Sequence, residues 1–241
     1  MSDRTTSAEQ SGPPSGVTPF PGLRNRTRTR AQLRARLAEA MLLLSGERGY
    51  ERVTVQDIIE RAGSSRATFY KHFADKEDCF AQAYEEAGEW LYWRLTGAAK
   101  RQPGWREGLR VALAELLEFC ANQPAIARSL FVEAHAVGGR AVAQHDQLME
   151  RLSHAIDSAR REPDSRHSPP PITAAFIVGA IETLVRAKLM DGDGKRAPEL
   201  LPGILHFVVM QYFGEDAAWE EMTSAPRATW NSRRSAAGEI P

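Results

Sequence analysis

"AGSSRATFYKHFADKED", residues 62–78, sets a glycine, small hydroxyl residues, an arginine and two phenylalanines in one short run. The run is too polar for a core segment and too patterned for a linker. Gly63 ends one helix, and Ser64 or Ser65 caps the next, which extends to about His72. On that second helix Phe69 and Phe73 are expected to face inward, while Ser65, Arg66 and Thr68 face outward. Just upstream, Thr54-Val-Gln-Asp57 reads as a capping-box start for a short helix with Ile58, Ile59 and Ala62 along its inner side. Further back, Leu33, Leu37, Met41 and Leu44 recur at helical spacing, and Gly49 closes that longer helix. Asp75 is expected to cap a fourth. Two short helices on a glycine turn behind a longer one make a helix-turn-helix.

This geometry accounts for the composition. The leading end of the second short helix enters a major groove, so it carries small polar side chains and one long donor. The candidate DNA-binding residues are Arg30, Thr54, Ser64, Ser65, Arg66, Thr68, Tyr70, Lys71, His72 and Lys76. Ser and Thr reach phosphates or base edges, Arg66 suits guanine, and Tyr70, Lys71, His72 and Lys76 supply phosphate donors. The amide end of the helix beginning at Thr54 is a second anion site. Two readings stand for several of these: Arg66 on a base or a phosphate, Tyr70 and His72 on phosphates or in packing, Thr54 on DNA or as a cap alone. The lead-in Arg24-Asn-Arg-Thr-Arg-Thr-Arg30 contains no acid, so it reads as an arm along phosphates or in a minor groove, or as a solvated tail.

The chain of 241 residues has a formal net charge of zero. Residues 24–76 hold 12 Lys/Arg against 6 Asp/Glu, hence +6, which leaves −6 for the remainder. A basic head on an acidic body points to a polyanionic partner for the head.

The stretch "TVQDIIERAGSSRATFYKHFADKED", with Arg48-Gly49-Tyr50 before it, resembles the DNA-binding signature of the tetracycline-repressor (TetR) family of transcriptional regulators. Thr54, Ile58/Ile59, Ala62-Gly63, Thr68-Phe69-Tyr70, His72-Phe73 and Lys76-Glu77 carry the resemblance. Cys79-Phe80 departs from it, since members more often have Leu there. The match covers about residues 30–80, roughly a quarter of the chain.

The rest is helical in period, with helices expected near 75–99, 104–122, 124–137, 139–161, 172–190 and 197–213. The expected fold is all-α, about nine helices: a disordered, basic-ended leader (1–28), a three-helix DNA-binding domain (29–74), a helical ligand-binding and dimerisation domain (75–214), and a C-terminal extension (215–241). Residues 172–190 and 204–213 are apolar round more of the helix than one core face requires. The resemblance implies a homodimer through these two helices, so that paired recognition helices about 34–36 Å apart read a near-palindrome. It also implies a small-molecule pocket, for which Trp90, Trp93, Phe119, Phe131, His135 and Phe176 are the candidate walls, ordinary core being the competing role for each. The implied function is a regulator, a repressor by family habit, released from its operator by a largely apolar effector.

An enzyme is the first rival, but the sequence has no nucleophile elbow, zincin motif, dinucleotide fingerprint or phosphate loop. A sensor whose head no longer binds DNA is the second. No cofactor is expected. No metal site is expected either, because His135, His145 and His154 are not at the three-to-four spacing that aligns ligands on one helix face. Two cysteines make no disulfide framework, the N-terminus has no signal-peptide core, and no apolar run reaches a bilayer span, so a cytoplasmic protein is expected.

Overall fold

The computed structural model describes residues 30–224, and among these every regular element is helical. The Arg-rich lead-in before Arg30 and the polar tail after Ser224 lie outside the described residues.

The head is built from α1 (Arg30–Arg48), α2 (Val55–Ala62) and α3 (Arg66–His72). Thr54 starts α2 through a capping box: its hydroxyl accepts from the Asp57 amide, and the Asp57 carboxylate accepts from the Thr54 amide at 2.8 Å. These bonds, the Thr54 hydroxyl first, hold the Asp57 carboxyl below its ordinary range. Gly63 ends α2 in the left-handed region at φ 57°, which a glycine adopts without a Cβ penalty. Ser65, rather than Ser64, caps α3, accepting from the Thr68 amide at 3.2 Å. Leu37, Met41, Leu44, Ile58, Phe69 and Phe73 are fully or almost fully buried, and they form the head end of a hydrophobic cluster that runs on into the body.

The body begins with α4 (Lys76–Lys100), capped by Asp75, and α5 (Trp105–Asn122). The expected helix at 124–137 is one run interrupted by a wide turn: α6 (Pro124–Arg128), a π-helical segment (Ser129–Glu133) and α7 (Ala134–Val137). Gly138 and Gly139, both at positive φ, then reverse the chain into α8 (Gly139–Asp157), which tightens into a 3-10 turn at Ser158–Arg161. α9 (Thr173–Met190) follows. A 3-10 stretch containing Pro198 takes up the start of the helix expected at 197–213, so α10 begins at Leu201 with Pro202 in its first turn. A proline there loses no intrahelical hydrogen bond. α11 (Glu215–Ser224) packs on α10, buries Ala218, and is tied to α5 by Arg110 paired with the buried Glu221.

Head and body share a seam. α1 lies so close to α6 that a Cβ on Gly46 would stand 1.8 Å from the Ala125 carbonyl oxygen. Ser129 in the π segment donates to the Leu42 carbonyl of α1. The Tyr50 amide donates to the buried Glu133 carboxylate at 2.9 Å. The π turn supplies the extra backbone residue that a regular helix lacks; it has no sequence periodicity of its own.

Candidate nucleic-acid interface and effector cavity

The outer face of α3 displays Ser65, Arg66, Tyr70 and Lys71 to solvent, with Tyr70 53% exposed, and Thr68 lies at its edge. Phe69 and Phe73 are buried behind them, 5.5 Å apart ring to ring. Among the described residues Arg66, Lys71 and Arg52 form no ion pair, whereas Arg34 pairs with Glu86, Arg48 with Asp57, and Arg61 with Glu47. On α3 itself the unpaired positive charge is carried by Arg66 and Lys71 rather than by all the basic residues of the head. His72 is half-buried beside Phe73.

Two candidates are placed differently from expectation. The Ser64 hydroxyl is buried, not displayed, because the Gly63 turn directs it inward. The Lys76 ammonium folds back over the Tyr50 ring, 4.1 Å from its centroid, and donates to the Tyr50 carbonyl. Thr54 is exposed at the start of α2 but already serves the capping box. Arg30 begins α1, and its side chain lies outside the described residues.

The body holds a cavity of about 700 Å³ between α4, α5, α8 and α9. Trp93, Leu109, Leu113, Phe131, Leu152 and Val178 give it an apolar wall, and Lys100 and Arg161 add polar groups at its margin. Of the six candidate wall residues, Trp93 and Phe131 line it. The other four do not. Trp90 turns away to pack on Phe119, ring centroids 5.8 Å apart, with Arg94 over its face. His135 is exposed on α7, and Phe176, 67% exposed, points outward from α9. Residues 90 and 93 stand only about 60° apart on a helix wheel, so they flank one another on α4, and aromatic identity does not say which flank meets the void and which meets Phe119. Trp105 and the leucines of α5 line the cavity and were missed, their periodicity reading as plain core.

Residues 37–83 match the family model described as bacterial regulatory proteins, tetR family. The head therefore matches the TetR family of transcriptional regulators, and the matches together support a regulator of that kind. Among TetR-type relatives, the transcriptional repressor KstR of Rhodococcus jostii is 25% identical over 186 residues, covering 69% of this chain and 86% of that one. A TetR-family regulator from Pectobacterium atrosepticum superposes with TM-score 0.59 at 25% identity, over 77% of this chain and 98% of its own. The regulator FadR of Bacillus subtilis, solved with stearoyl-CoA, superposes with TM-score 0.64 at 15% identity, over 74% and 97%; that likeness is one of fold.

The body also holds a polar cluster that the sequence reading missed. His145 of α8, 3% exposed, meets the Tyr84 hydroxyl of α4 through Nδ1 at 2.9 Å and the Glu182 carboxylate of α9 through Nε2 at 3.0 Å. The His135 ring stands edge-on to His145 with centroids 4.7 Å apart. Burial pushes the Tyr84 hydroxyl pKa up. Burial also works to raise Glu182, but the His145 hydrogen bond and the charges of His145, His135 and Arg186 outweigh it and hold that carboxyl low. Both cysteines are buried; Cys120 is pushed up to about 12 by burial, so neither is a ready nucleophile. Among the described residues no helix is long and apolar enough to cross a membrane.

Proposed function

We propose that this TetR-family regulator is a repressor that binds a palindromic operator as a homodimer and leaves it when a largely apolar small molecule occupies the body cavity. In this reading residues 29–74 act as the DNA-binding unit and 75–214 as the regulatory unit. The observation that carries it is the position of the π segment. Phe131 lines the cavity, while Ser129 and Glu133, two residues to either side, hold Leu42 and Tyr50 of the head. A ligand that shifts Phe131 therefore bears on the support of α1, and α1 carries α2 and α3. The shift it achieves is bounded by its differential affinity for the two arrangements.

The dimer rests on a second observation. α9 leaves Phe176, Leu184 and Met190 exposed, and α10 leaves Phe207 and Met210 exposed. Gly179 and Gly203 face open space on the same two helices, where a close helix approach needs small residues. Exposed apolar stripes of this kind mark interfaces.

The test is binding of the purified protein to DNA from its own upstream region, with competitor DNA, across a salt series, alongside its sedimentation mass. A dimer with salt-dependent, competitor-resistant binding supports the repressor. A folded dimer that ignores DNA supports the alternative, a small-molecule sensor with a non-functional head. A strict monomer that ignores DNA refutes both.

A further inference from the structure

We propose that His135, His145 and Glu182 form a site for a divalent first-row transition ion, with zinc(II) as its reference occupant. The ligand atoms of the three side chains all lie within 4.8 Å of one another, although they come from α7, α8 and α9. Two ligands bound to one ion at about 2.1 Å stand roughly 3–3.5 Å apart. The Nε2 of His145 and the Oε1 of Glu182, 3.0 Å apart, already meet that requirement. The third nitrogen has about an ångström to close. His135 is the exposed member, on a short helix beside the Gly138-Gly139 reversal, so its rotation closes the gap without disturbing the core.

The donor set selects the ion. Two imidazoles and one carboxylate suit borderline ions such as zinc, not magnesium or calcium, which take oxygen ligands. Coordination through Nε2 of His145 leaves Nδ1–H to donate to the Tyr84 oxygen, and a held second nitrogen of this kind orients a metal-bound imidazole. In the tautomer with its proton on Nδ1, the Nε2 lone pair of His145 and the Glu182 carboxylate are both available as ligands. Arg186 is the nearby charge that opposes a cation, and Asp146 the one that favours it. Glu182 also lines the body cavity, so the ion has one side toward bound effector. Tyr84 lies on α4, which begins at the head, so occupancy would bear on the same helix that leaves the DNA-binding unit.

The experiment uses the full-length, tag-free chain stripped with a chelator, titrated with zinc(II) against a chromophoric competitor and with cobalt(II) by visible absorption. We expect one ion per chain. His135→Ala and Glu182→Gln should each weaken zinc binding at least tenfold and alter the cobalt spectrum, both variants remaining helical by circular dichroism. His154→Ala, which removes an exposed histidine near Glu150, should bind like the wild type. Failure of the wild-type chain to bind either ion, or unchanged affinity in both His135→Ala and Glu182→Gln, overturns the site. Neither outcome touches the DNA-binding proposal, which is read on duplex DNA alone.

Discussion

The head and the body are held together by different kinds of contact. In the head, the starts of α2 and α3 are each made by a side chain three residues from its partner: Thr54 with Asp57, Ser65 with Thr68. In the body, the features that matter join residues far apart in the chain: Glu133 with Tyr50, Tyr84 with His145, His145 with Glu182. Local capping can be written into a few adjacent residues and repeated across a family. A cavity or a polar cluster depends on the phase at which several helices meet.

The sharpest way to break this contrast is at the seam. Gly46→Val drives a side chain into the Ala125 carbonyl and forces α1 from α6. It should destabilise the chain by on the order of 3 kcal/mol, read as a fall in the thermal midpoint, while Gly97→Ala, whose Cβ would meet only the Arg101 guanidinium at 3.7 Å, should leave that midpoint nearly unchanged. Within the body, Trp90 and Trp93 are three residues apart but differently employed. Trp90→Ala removes packing on Phe119 and should lower stability by about 2 kcal/mol. Trp93→Ala opens the cavity wall and should change effector-driven release more than stability; equal behaviour of the two in both assays would erase the distinction drawn between them.

Smaller effects sharpen the account of the head. Arg66→Ala should weaken operator binding by about 1–3 kcal/mol, roughly tenfold to a hundredfold, with the thermal midpoint unmoved. If Arg66 reads a base, the loss is confined to the cognate site; if it holds a phosphate, the loss is uniform across sequences. Ser65→Ala should remove the α3 cap at about 1 kcal/mol, seen in urea unfolding. The pH response follows the Asp57 capping box. Because its carboxyl is held low in the folded chain, the contribution of that carboxylate is present above the ordinary aspartate range and is lost as pH falls through the lowered value. Asp57→Asn should therefore flatten the acid limb of the stability curve.

The sequence alone determined the succession of helices, the head and its family resemblance. Gly63, the capping box and the buried Phe69/Phe73 pair are signals that act within a turn or two of chain, so they survive being read one residue at a time. It also marked Gly138-Gly139 as a break, and there a sharper reading was available: a tight reversal between two helices brings residues ten apart, His135 and His145, into edge-on contact. Only the tertiary structure decided that Trp93 and Phe131 line the cavity while Trp90 and Phe119 pack on each other, that Phe176 faces outward, that Ser64 and Lys76 fold inward, and that a π turn joins cavity to head. The physical reason is that a helix wheel fixes which residues share a face, but the partner of that face is chosen by the packing of the other helices.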